Sequence, residues 1–199
     1  MTPSNYRRSK SLATDVARWW NQLKVERGKY LDEFPSLVKL VKTLINESYS
    51  LKEGAYTRET RLKLSKQRIS LVEAIQKKSD TMKDAFFEVE RILIDIMGND
   101  LVKPLAPGTA IEQVRKEAKQ LDLLFMAVKN YIKVINKAKE SLKEAKESEL
   151  VKSAREALVK AFRTIQDLVL QTEETINIVY EELTEQREIA DLLEKKQLL

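Results

Sequence analysis

Cations offer the most chemistry in this sequence, and they come in two runs. Arg7-Arg8-Ser9-Lys10 opens the first, and Arg18, Lys24, Arg27 and Lys29 continue it. Across residues 1–30 only Asp15 and Glu26 oppose them, for a net charge of +5. The second run is Arg58, Arg61, Lys63, Lys66 and Arg68, opposed by Glu59 alone. Lys and Arg at this density neutralise phosphates, and the release of condensed counterions then drives salt-dependent binding without sequence readout. Tyr6, Trp19 and Trp20 lie within the first run and supply rings on which bases can stack. The simpler reading of the two tryptophans is an apolar anchor onto the rest of the chain or onto a partner subunit.

The second run falls in the first turns of a helix that the pattern opens near Thr57. Helix N-termini carry positive partial charge, which disfavours Lys and Arg there by about 0.3–1 kcal/mol each. Either an anion lies against this end, or the cations pair with acids elsewhere or point into water. An acidic counterpart exists. Residues 173–194 hold Glu173, Glu174, Glu181, Glu182, Glu185, Glu188, Asp191 and Glu194 against Arg187, for a net of −7.

Other chemistry is thin. The 199 residues include no His and no Cys. The commonest general base and transition-metal ligand is therefore absent, as are thiolates and disulfides. No glycine-rich phosphate loop is present. A di-metal carboxylate bundle would show paired Glu-x-x-His motifs, which a chain without His cannot supply. Glu140, Glu144 and Glu147 lie off the apolar stripe and read as solvated. No enzymatic activity, cofactor or metal site is expected.

The elements that hold these residues read as helices throughout. Only 4 Gly and 4 Pro occur, and 43% of residues are hydrophobic, which argues against a many-turned β fold. Residues 1–10 read as an extended basic arm. A first helix opens near Ser11 or Thr14 with an apolar face of Leu12, Val16, Trp19, Trp20, Leu23, Tyr30, Leu31 and Phe34. Pro35 ends or kinks it. A second short helix spans about 36–53 and stops at Gly54. A long helix follows over about 57–97. Its stripe is Leu62, Ile69, Val72, Ile75, Met82, Phe86, Val89, Leu93 and Ile96, with an irregular 3-3 spacing at Ile69-Val72-Ile75. Gly98-Asn99-Asp100 stops it. Thr109-Ala110-Ile111-Glu112 reads as a capping box for a helix whose stripe is Ile111, Val114, Ala118, Leu121, Phe125, Val128, Ile132 and Ile135. A turn is placed at Ser148-Glu149, before a last helix that runs to about Lys196.

The expected fold is all-α: an elongated antiparallel bundle of three long helices, with two shorter N-terminal helices and a basic N-terminal arm. The expected division is 1–35, arm and amphipathic helix, and 36–199, helical bundle. No segment reaches the ~18 apolar residues of a membrane span, and no apolar stretch follows the N-terminal cations as in a secretory signal. A virion location if the protein is viral, and a cytoplasmic one otherwise, is the resulting expectation.

This layout of a basic arm (Arg7-Arg8-Ser9-Lys10), a tryptophan helix (Arg18-Trp19-Trp20), a proline break and a helical bundle resembles the coat proteins of filamentous viruses of hyperthermophilic archaea. In that family two related coat proteins pair and wrap their N-terminal helices around DNA. The resemblance implies a structural protein that binds double-stranded DNA and assembles into a filament with itself or a paralogous subunit. It would place phosphate contacts on Arg7, Arg8, Lys10, Arg18, Lys24, Arg27 and Lys29. Two alternatives stay open. Long helices with a basic N-terminal half are also reminiscent of archaeal relatives of the ESCRT-III membrane-remodelling proteins, in which case the tryptophan helix would lie in an anionic membrane interface. A small helical subunit of a ribonucleoprotein complex would carry similar electrostatics.

Overall fold

A computed structural model describes residues 3–47, 58–99, 102, 107–140 and 149–197, with side chains over 11–46, 59, 62–99, 102, 107–136 and 149–196. Four helices account for almost all of it: α1 (Pro3–Glu47), α2 (Arg58–Met97), α3 (Gly108–Glu140) and α4 (Glu149–Gln197). They pack in a ring, α1 on α2, α2 on α3, α3 on α4, and α4 back on α1. Neighbours run antiparallel. Lys83 reaches Asp122 and Glu90 reaches Arg115 across α2 and α3. Trp20, early in α1, meets Thr184, late in α4. The end at which α1 and α3 begin is called the lower end here, and the end at which α2 and α4 begin the upper end.

This differs from the expected layout of three long and two short helices behind an extended arm. Residues 3–47 form a single helix of 45 residues with Pro35 inside it. Its length is about 67 Å at 1.5 Å per residue. A proline in a helix interior costs about 3 kcal/mol. Burial of Leu37, Val41 and Leu44 just beyond it returns about 1.5–3 kcal/mol per side chain, enough to hold the helix through the proline. The expected boundary between residues 35 and 36 falls inside α1. Residues 1–30 supply Val16, Trp19, Leu23 and Tyr30 to the core. The expected stop at Gly54 and the turn residue Ser148 lie outside the described residues.

The core follows a seven-residue repeat more closely than the apolar residues alone indicate. Buried positions in α1 include Val16, Leu23, Tyr30, Leu37 and Leu44, and in α3 Val114, Leu121, Val128 and Ile135. In α2 the series is Arg68, Ile75, Met82, Val89 and Ile96. This removes the irregularity read into α2. Ile69 is 56% exposed, and Arg68 fills the heptad position beside it at 3%. Leu62, also assigned to the stripe, is exposed. The break in period lies instead in α4, where Ala154, Leu158, Phe162 and Ile165 follow a 4-4-3 spacing of the stutter type. α2 ends as expected, with the Gly98 amide donating to Ile94 O at 3.0 Å. α3 starts earlier than the capping box placed it. The Ile111 amide donates to Pro107 O at 3.0 Å, so Thr109 sits within the first turn rather than capping it.

Candidate functional site

The tryptophan helix folds onto its own bundle. Trp19 is 2% exposed. Trp20 stacks on Tyr180 with ring centroids 5.7 Å apart, and its Nε1–H donates to Thr184 Oγ1 at 2.9 Å. Arg187 lies 4.1 Å from the Trp20 ring centroid and Lys24 5.0 Å. The α1–α4 seam is thus a ladder of rings and cations. The apolar-anchor reading describes both tryptophans.

Arg27, the charge that interrupts the apolar face of the first helix, continues this ladder. Its Nε donates to Glu173 Oε1 at 2.5 Å and its second guanidinium nitrogen to Asn177 Oδ1 at 2.9 Å. Its guanidinium also lies over the Tyr180 ring. The Tyr30 hydroxyl donates to the other oxygen of Glu173, and Asn177 Nδ2 donates to Glu181 Oε1 at 2.7 Å. Burial works against the Arg27 charge, but the hydrogen bond and charge of Glu173 outweigh it and raise its pKa. Burial, then the same carboxylate, push the Tyr30 hydroxyl far above its ordinary range.

At the level of this cluster the core carries a polar layer that the sequence reading missed. Glu117 of α3 and Thr172 of α4 are both 0% exposed. Neither carboxyl oxygen of Glu117 has a hydrogen-bond partner of good geometry among the described residues. Burial, reinforced by the charge of Glu173 and opposed by the nearby Thr172 hydroxyl, pushes the Glu117 carboxyl up to about 8. It is therefore mostly protonated at pH 7. The signal was present in the heptad. Glu117 lies three residues after Val114 and four before Leu121, a core position, but the apolar pattern selected its neighbour Ala118.

The other cations assigned to the first run are also engaged, as far as they are described. Arg18 pairs with Asp15 at 3.1 Å, and Lys29 with Glu26 at 2.6 Å. The side chains of Tyr6, Arg7, Arg8 and Lys10 lie outside the described residues, as do those of Arg58 and Arg61. The α1–α4 register, set by Trp20 with Thr184 and Arg27 with Glu173, brings residues 7–10 level with the last two turns of α4, which hold Asp191 and Glu194 beside Lys195 and Lys196. In the second run Lys63 and Lys66 are exposed and Arg68 is buried. The two runs lie at opposite ends of the bundle and form no single patch.

The fold makes a different grouping. Four segments that are remote in sequence, 36–47, 58–80, 123–140 and 149–168, share the upper half. Together they carry 17 Lys and Arg against 8 Asp and Glu. The helical segments of the lower half, 3–35, 81–97, 108–122 and 169–197, carry 15 against 19. The upper half exposes Lys39 and Lys42 on α1, Lys63, Lys66 and Lys77 on α2, Lys129 and Lys133 on α3, and Lys152, Lys160 and Arg163 on α4. Among the described residues, none of these ten is ion-paired. Among the described residues there is also no cluster of acids suited to a metal, and no helix long and apolar enough to cross a membrane. No protein-family model, curated protein or solved structure matches the chain.

Proposed function

We propose that this chain is a structural, non-catalytic subunit that holds nucleic-acid backbone, double-stranded DNA first, against the basic upper half of its bundle, in an assembly of many copies. The observation that carries this reading is the axial segregation of charge, with exposed cations from all four helices around one half. Lysines spaced along rigid helices meet a regular phosphate array without reading bases. A purely self-contained bundle has no need of such a concentration, because like charges at one end repel. The contact surface differs from the wrapping N-terminal helix that the coat-protein resemblance implies, since Trp19, Trp20 and Arg27 face inward.

Affinity for random duplex DNA, measured as a function of salt, tests this. The logarithm of the binding constant should fall linearly with log salt, with a slope near −0.9 for each phosphate neutralised. Replacing Lys39, Lys42, Lys129 and Lys133 with Glu should weaken binding by about a hundredfold or more, whereas Arg18→Ala should leave it unchanged. Equal binding by the fourfold variant, or binding to anionic vesicles with none to duplex, would overturn the reading.

A further inference from the structure

We infer that α1 is built to open between Gly28 and Pro35, and that ionisation of the buried Glu117 carboxyl across the core drives the opening. Both residues weaken the helix that carries them. Glycine loses more backbone freedom on ordering than alanine does, and Pro35 has no amide to donate to the Leu31 carbonyl. Packing requires neither. A methyl group on Gly28 would meet nothing within 4 Å, and Pro35 is exposed. The interiors of α2, α3 and α4 hold no glycine or proline. The segment is also thinly anchored. From 28 to 35 only Tyr30 is buried, whereas Trp19 and Leu23 below it and Leu37, Val41 and Leu44 above it all are. An interrupted hydrogen-bond ladder with few buried side chains marks a unit of low local stability.

The one buried anchor stands on the polar layer. The Tyr30 ring packs on Phe86 with centroids 4.7 Å apart, and its hydroxyl donates to Glu173. Among the described residues, the segment's other polar tie to a neighbouring helix is Glu33 with Lys78 of α2. Glu117 faces the same layer from α3, and no cation is among the groups that act on it. On α1, Arg27 is committed to Glu173, and the Tyr30 hydroxyl stays uncharged. On α4, Thr172 carries no charge and Glu173 repels a second carboxylate. On α2 the buried side chains at this level are Phe86 and Val89, while Glu88 and Glu90 turn outward to Arg91 and Arg115. A Glu117 carboxylate must therefore find water. Its two oxygens and the Thr172 hydroxyl lack partners of good geometry, so water that reaches the layer can bond to all of them. The least costly entry is past the helix whose ladder is already broken. Because the carboxyl is pushed up to about 8, opening rises between pH 7 and 9.

This device does not rest on nucleic-acid binding, and the protein alone tests it. Hydrogen exchange read by mass spectrometry, with each rate divided by that of an unprotected amide at the same pH, reports the opening. Amides of residues 28–35 should open at least tenfold more readily than those of 84–96 and 114–128. Low concentrations of urea should leave their rates unchanged, because a local opening exposes little surface. Raising the pH from 7 to 9 should increase their opening about tenfold, one decade for the unit above about 8. Glu117→Gln should abolish that increase. Gly28→Ala with Pro35→Ala should slow their exchange at pH 9 by about tenfold or more, with circular dichroism showing the variant as helical as the parent. A segment that exchanges no faster than the cores of α2 and α3 would overturn the inference. So would the same pH response in Glu117→Gln, or exchange that is unmoved by the two alanines.

Discussion

Arg27 and Lys42 lie on the same face-forming helix, about four turns apart, and the fold treats them differently. Arg27 is held by Glu173 and Asn177 and covered by Tyr180. Lys42 is exposed on the flank of the upper half. The same contrast holds between the sets to which they belong. Arg18, Lys24, Arg27 and Lys29 are each committed to an acid or a ring of this chain. Lys39, Lys42, Lys63 and Lys66 have no such partner among the described residues. Charge counted along a sequence is therefore not charge available to a ligand. Availability is decided by which acids the antiparallel pairing places opposite, and α1 finds its acids only because α4 returns beside it.

The strongest way to break this contrast is Arg27→Ala. Removing one partner of a half-buried, hydrogen-bonded pair leaves Glu173 without its guanidinium, and should cost about 2–4 kcal/mol of unfolding free energy. Duplex affinity should not change. Chemical denaturation beside a binding titration checks both. A variant of parental stability with reduced affinity would return Arg27 to the nucleic-acid surface.

Glu117 sharpens the picture of the layer beneath that pair. Its carboxyl is pushed up to about 8 in the fold, whereas in the unfolded chain it ionises near the ordinary value of about 4.3. Between these values the folded state binds the extra proton. Stability contributed by the neutral carboxyl is thus complete at the acid end of the window and is lost as pH rises through about 8. Glu117→Gln should flatten that fall and exceed the parent at pH 9 by a few kcal/mol. Thermal midpoints across this range are the measurement. Parallel curves for the two proteins would mean that Glu117 ionises freely in the folded state.

How far these features can be read in the sequence depends on how local their causes are. The span of α2 was legible, because its stop is a property of Gly98-Asn99 themselves. That Trp19 and Trp20 anchor inward was one of two open readings, and only Tyr180 and Thr184, on a distant helix, distinguish them. Pro35 misled because the cost it imposes is local, whereas the burial that offsets it is tertiary. Arg68 and Glu117 were passed over for Ile69 and Ala118 because a search for apolar residues skips a polar side chain in a core position. The basic upper half was illegible for a different reason. None of its four segments stands out alone except 58–68, and their sum appears only once the helices are stacked.

The smallest expected effect tests the open side of the comparison. Lys39→Glu and Lys42→Glu alter exposed side chains with no ion pair among the described residues. Each should shift unfolding free energy by no more than about 0.5 kcal/mol, the usual range for surface substitutions away from caps and networks. Relief of repulsion among the neighbouring lysines places the expected sign on the stabilising side. These are two of the four substitutions expected to weaken duplex binding most. A small gain in stability with a loss of affinity is the signature of charge held for a ligand, and a marked loss of stability would mean that these lysines serve the bundle as Arg27 does.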